Sequence, residues 1–155
     1  MKIDKLFTTE FNELIIQLGE ELFKHPELGY KEVVTKSILM DFFAKQDITE
    51  FTDHSITGFI KTIGPSDALY NIAIICDLDG VPTLDHKYSN KVDNAAHSCG
   101  HHEQMAVISG VFALVNKHNL LDNSNCKLTI IATPAEEYVD LDFRNDQIKK
   151  QNIKK

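Results

Sequence analysis

The chain has 155 residues and a mass of 17.5 kDa, enough for one domain with its own core and too little for two. With 43% hydrophobic and 25% charged residues, 7 glycines and 4 prolines, its composition is that of a globular domain and excludes a disordered or fibrous chain. A net charge of -7 speaks against nucleic acid as a partner, since a phosphate backbone selects for a basic surface, and the basic run Lys149 to Lys155 reads as a solvated tail.

Phe11, Leu14, Ile15, Leu18 and Leu22 recur at helical spacing and predict an amphipathic helix that ends at His25-Pro26, where proline disfavours helix for the residue before it. No stretch approaches the roughly eighteen apolar residues of a membrane-spanning helix. The longest early candidate, Leu14 to Phe23, carries Gln17, Glu20 and Glu21. The first residues, with Lys2, Asp4, Lys5 and Glu10, lack the pattern of a secretory signal, so a cytoplasmic location is expected. Cys76, Cys99 and Cys126 are spaced without a framework, which argues against disulfides.

After the turn Pro26 to Gly29, Val34, Ile38, Leu39, Phe42 and Phe43 predict a second helix to about Lys45. Ile56 to Ile63 reads as a strand, followed by the turn Gly64-Pro65-Ser66-Asp67. Tyr70 to Cys76 is a nearly continuous apolar run, expected to be a strand covered on both faces, and Lys127 to Thr133 repeats that pattern. Between them Met105, Ile108, Val111, Phe112 and Val115 fall on one helical face that runs out near Lys117-His118. Strand, helix and strand make a crossover unit, the building block of an α/β sheet flanked by helices.

In such sheets the ligand crevice lies beyond the carboxyl ends of the strands. Asp77 and Asp79 follow the first buried strand, Glu136 and Glu137 the second, and His97-Ser98-Cys99-Gly100-His101-His102-Glu103 introduces the helix between them. One crevice could therefore hold thiolate, imidazole and carboxylate together, a mixture that suits a borderline-soft divalent ion such as zinc. Of the adjacent glutamates, one could coordinate while the other takes a proton from water. Each cluster also has a plainer reading: a glutamate pair on a solvated loop, aspartates that cap the next turn, and a cysteine followed two places later by histidine, a weak zinc signal beside paired C-x-x-C motifs. A third chemistry, Cys99 as a nucleophile activated by His101 or His102, leaves the glutamate pair without a task.

Five motifs stand in one order along the chain: His25-Pro-Glu-Leu-Gly-Tyr-Lys-Glu32, Thr57-Gly58, Asp77-Leu-Asp-Gly-Val-Pro82, His97-Ser-Cys-Gly-His101 and Pro134-Ala-Glu-Glu137. In this order they resemble the amidohydrolase branch of the aminoacylase and carboxypeptidase family, peptidase family M20, which includes N-acyl-amino-acid, aminobenzoyl-glutamate and auxin-conjugate hydrolases. The resemblance implies a zinc-exopeptidase-like α/β fold, three-layered, with a mostly parallel sheet flanked by helices. It also implies two divalent ions, zinc, manganese or cobalt, and an activated water that attacks the amide of an N-acyl amino acid or peptide-like substrate. Carried over position by position, Cys99, His101 and Glu137 correspond to metal ligands and Glu136 to the general base. Asp79 corresponds to a carboxylate that orients the site from behind its ligands, and Asp77 stands where other branches place a histidine.

Two departures are visible. The family pattern continues Gly-His-Asp and then another His, where this chain has Gly100-His101-His102-Glu103-Gln104, and Tyr138 to Arg144 replaces a glycine-rich stretch. The family's catalytic domain is also much longer, with a lid or dimerisation domain and further histidine ligands. Residues 1–144 are therefore expected to be the amino-terminal part of a metallohydrolase catalytic domain, with 145–155 as a polar basic tail. The expectation for this stretch alone is a truncated or split product of low stability and no activity. The alternative function is a non-catalytic remnant that binds a metal or a complementary chain; a homodimer is expected of the complete enzyme.

Overall fold

The computed structural model describes residues 5–137 and 140–150; Tyr138, Val139 and residues 151–155, which include the end of the basic run, lie outside the described residues. Helix α1 (Thr9–Lys24) starts where the Thr8 hydroxyl accepts the Phe11 N–H at 3.2 Å and stops at His25, as the proline predicts. Helix α2 (Val33–Ala44) has no cap from the residue before it. Its first turn is capped instead by Glu27, whose carboxylate accepts Val34 N–H at 3.1 Å and Thr35 N–H at 2.8 Å. Strands β1 (Thr52–His54), β2 (Gly58–Ile63) and β3 (Tyr70–Asp77) follow, then the two-residue strands β4 (Val81–Pro82) and β5 (Ala95–Ala96). Helix α3 (His101–Lys117), strand β6 (Cys126–Thr133) and helix α4 (Leu141–Lys149) complete the described chain.

The main sheet has the order β1-β2-β6-β3. β3 and β6 run parallel in the register Tyr70↔Cys126 to Asp77↔Thr133, with α3 between them in sequence, so the crossover unit is present as expected. β1–β2 and β2–β6 are antiparallel. The sheet is thus mixed, and its parallel character is confined to the pair that flanks the crossover.

The directly opposed residues Ile74 and Ile130, and Cys76 and Ala132, put one sheet face against the helices. There Phe59, Leu128 and Ile130 pack with Leu22 of α1, Leu39 and Phe43 of α2, and Met105 and Phe112 of α3. Phe43 is fully buried and meets Phe42, Phe59 and Phe112 edge-on at ring separations of 5.5, 6.3 and 6.0 Å. Such T-shaped pairs align ring edges with ring faces and add about 0.5–1.5 kcal/mol each beyond area burial.

The opposite face differs from expectation. A line of polar side chains crosses it, with the Thr62 and Thr129 hydroxyls 2.8 Å apart and the Thr129 hydroxyl donating to Asn71 Oδ1 at 2.8 Å. α1, α2 and α3 pack into the main core on the other side, with a smaller cluster of Leu6, Phe11 and Leu114 beside it. β3 is not covered on both faces: it is an edge strand, with Tyr70, Ile72 and Ile75 all more than half exposed. Residues 145–149 lie in α4, which starts where Asp140 accepts the Phe143 N–H at 2.9 Å and buries no residue. Among the described residues no helix is long and apolar enough to cross a membrane.

Candidate metal centre

The carboxyl ends of the parallel strands β3 and β6 open onto one crevice, and the start of α3 faces it. The chain enters α3 through Gly100, whose φ of 91° is a left-handed conformation that favours glycine. This tight entry sets Cys99 and His101 on either side of the helix start. After β6, Pro134 leads to Ala135 at φ 55°, and Glu136 and Glu137 follow. One donor atom each from Cys99, His101 and Glu137 lies within 4.8 Å of the others, and the same holds for Asp77, His101 and Glu136. The structure therefore brings Cys99, His101, Glu137, Asp77 and Glu136 close together, with His101 common to both groups.

Asp79 organises this cluster from beneath. Its side chain is fully buried, and its Oδ2 accepts the Glu137 N–H at 3.0 Å. Its main-chain carbonyl accepts from His101 Nδ1 at 2.9 Å, and the Cys99 thiol approaches the same oxygen at 3.9 Å. A carbonyl only accepts, so Nδ1 carries the proton and the Nε2 lone pair is left facing Glu136 Oε2 at 3.8 Å and Glu137 Oε1 at 3.9 Å. A histidine fixed by its far nitrogen, with the near one free to coordinate, is the usual arrangement at a metal site.

The electrostatics point the same way. Burial pushes the Cys99 thiol above its ordinary range; hydrogen bonds from the His101 and Cys99 N–H groups partly offset this, while the charges of Glu137 and Asp79 add to it. A nucleophilic cysteine needs an electropositive setting, so these surroundings disfavour the thiol-hydrolase chemistry. Among the described residues, Asp77, Glu136 and Glu137 form no ion pair with lysine or arginine. Thiol, imidazole and carboxylate donors converging without a cationic side chain are a donor set that fits a divalent ion.

The departing motif residues occupy the helix side. His102 packs its ring against Phe23 at 4.8 Å and His97 at 5.4 Å. Burial, with the adjoining imidazoles His102 and His101 adding to it, pushes His97 down to about 4, so it is neutral at physiological pH. Gln104 accepts the Asp77 N–H through its Oε1 at 2.9 Å and so ties the end of β3 to α3, a contact that no motif signals. Cys76 is fully buried and its thiol is pushed up to about 12, as expected of an inert core cysteine. Cys126, at the start of β6, is only partly buried.

No family model matches the chain. Among curated proteins, it is 30% identical over 127 residues to N-acetyldiaminopimelate deacetylase of Priestia megaterium, a match covering 79% of this chain and 32% of that protein. It is 31% identical over 140 residues to N-acetylcysteine deacetylase of Bacillus subtilis, covering 86% and 35%. IAA-amino acid hydrolase ILR1-like 5 of Arabidopsis thaliana is 24% identical over 131 residues, covering 83% and 29%. Among solved structures, a dinuclear metal binding peptidase of the M20 family from Bacillus subtilis superposes with a TM-score of 0.71 at 30% identity, covering 84% of this chain and 37% of that one. The chain spans about a third of the length of the curated relatives it matches. In sequence and in fold the chain is similar, over about a third of their length, to members of the amidohydrolase branch of the M20 metallopeptidase family.

Proposed function

We propose that this chain carries the water-activating half of a metal-dependent amidohydrolase that cleaves the amide bond of an N-acyl amino acid or a small peptide-like substrate. The observation that carries the reading is the convergence of Cys99, His101 and Glu137 donor atoms within 4.8 Å, beside a second carboxylate, Glu136, that can serve as base. Cys99, His101 and Glu137 would hold a divalent ion, zinc, manganese or cobalt; Asp77 with His101 and Glu136 is an overlapping set of donors, of which His101 can serve one ion only because its Nδ1 is engaged by Asp79. When bound, such ions polarise a substrate carbonyl and make water acidic enough to attack it near neutral pH.

The remaining work falls to the protein. Glu136 is half-exposed at the crevice, where its carboxylate can accept a proton from the attacking water and deliver it to the departing amine nitrogen. Asp79 keeps His101 in one tautomer through its carbonyl and keeps the Glu137 backbone in place through its carboxylate. The named activities of the relatives, removal of acetyl groups from diaminopimelate and cysteine derivatives and hydrolysis of auxin conjugates, suggest an acyl-amino-acid substrate. Because the chain spans about a third of those relatives, a second reading is a metal-binding chain that needs a complementary polypeptide for hydrolysis.

The test is metal content by mass spectrometry on protein purified without a metal-binding tag, for the parent, Cys99→Ala, Glu137→Ala and Glu136→Gln. Near-stoichiometric metal in the parent and Glu136→Gln, with a loss of about 10-fold or more in affinity in the other two, is expected. Equal metal content in all four would overturn the ligand assignment. Hydrolysis of N-acetyl amino acids, alone or with the remaining family sequence added in trans, separates the two readings, and Glu136→Gln is expected to abolish it.

A further inference from the structure

The motif from His25 to Glu32 and the pair Thr57-Gly58 contain none of the proposed metal donors and not the base, yet they converge on the loop that carries Glu136 and Glu137. Glu32, the residue before α2, is fully buried. One of its carboxylate oxygens accepts the Ala135 N–H at 2.9 Å, and the other accepts the Thr57 hydroxyl at 2.5 Å. Ala135 stands at φ 55°, a region that a residue with a side chain occupies only when its surroundings hold it there. Two residues later the Glu137 N–H is held by Asp79. The turn is therefore fixed at two points by two buried carboxylates, of which only Asp79 belongs to the crevice.

We propose that Glu32 is a positioning residue that, by holding the Ala135 N–H from inside the core, sets the turn presenting Glu136 and Glu137 to His101. Among the described residues the side chain of Glu32 bonds to Thr57 and Ala135 and to no proposed ligand or base, so its influence passes through the backbone of one loop. Glu32→Gln keeps the influence, because the amide oxygen can accept from Ala135 while the amide N–H₂ donates to Thr57. Glu32→Ala leaves the Ala135 N–H buried without its acceptor. Glu32→Asp keeps the charge and shortens the reach by one methylene. It is the second variant, should the alanine chain fail to fold.

The first readout is amide hydrogen exchange by NMR in the metal-free 155-residue chain, comparing Ala135 with Ile130 in the middle of β6. Glu32→Ala and Glu32→Asp are expected to speed exchange at Ala135 by about 10-fold more than at Ile130, and Glu32→Gln to stay within about 3-fold of the parent. Equal acceleration at both amides would assign Glu32 to general stability and overturn the proposal. The second readout, which rests on the metal reading above, is cobalt(II) titration followed by the thiolate-to-cobalt absorption of Cys99. An affinity about 10-fold weaker in Glu32→Ala, restored in Glu32→Gln, is expected, and an unchanged affinity and band would overturn the link from Glu32 to the donors. A parent chain that takes up no cobalt would sink the metal reading alone, and the exchange ratio would still decide for or against Glu32.

Discussion

A carboxylate with no water around it must be stabilised by its hydrogen bonds, and for Glu32 these are not enough. Burial raises its pKa above the ordinary carboxylate range, with the Thr57 hydroxyl and nearby backbone N–H groups pulling it only part of the way back. The folded chain thus binds the Glu32 proton more tightly than the unfolded chain does. Its contribution to stability is fully present below the free carboxyl range and is lost as pH rises through the folded value. Glu32→Gln has no proton to lose, so its melting temperature relative to the parent is expected to climb as pH is taken from about 4 to about 8. Thermal melts across that range check this, and a flat difference would show that ionising Glu32 costs nothing. At this scale the sequence was informative where chemistry is local. Cys99, His101, Glu136 and Glu137 stand out as types and spacings that suit one site. Glu32 does not, because its partner Ala135 lies 103 residues away and offers only a backbone N–H, which no residue type signals.

Elements became legible in proportion to their periodicity. α1, α3 and β6 were readable because each presents a repeated apolar face to the shared core. β1 was not, since Thr52, Asp53 and His54 are all exposed and carry no apolar signal; it exists because β2 offers it an edge. β4 and β5, two residues each, are too short for any period. The turn that returns β1 into β2 makes a sharp prediction at Gly58. A Cβ there would sit 2.5 Å from the His54 carbonyl oxygen and 2.7 Å from that of Ala132, both backbone atoms of the strands on either side. Relief would require β1 or β6 to move, unlike a clash with a flexible side chain. Gly58→Ala is therefore expected to destabilise the chain by about 1–3 kcal/mol, read as a lower urea midpoint at unchanged slope. Tolerance of alanine at wild-type stability would mean that β1 is not held against β2 in solution.

The molecule as a whole leaves one side of its sheet unprotected. β3 pairs with β6 on one edge only, and its outer edge presents a row of backbone groups to solvent beside Tyr70, Ile72 and Ile75, which are 68%, 55% and 56% exposed. Natural edge strands are usually shortened, charged or covered to prevent pairing with another chain, whereas this eight-residue isoleucine-rich strand carries no charge before Asp77, the residue at its end that Gln104 engages. The curated relatives are about three times as long, so polypeptide is available in them to cover such an edge. The 155-residue chain on its own is therefore expected to self-associate with rising concentration, detectable by sedimentation velocity. Ile75 lies on the sheet face opposite the helices, so a charge there should not disturb the core. Ile75→Lys is expected to shift the chain toward monomer while leaving metal content unchanged. A parent that stays monomeric at the highest concentrations reached would show that the β3 edge is already blocked. A lysine variant that associates as strongly as the parent would place the contact on the exposed apolar side chains of α1 and α3, of which Ile16 and Val107 are 61% and 58% exposed.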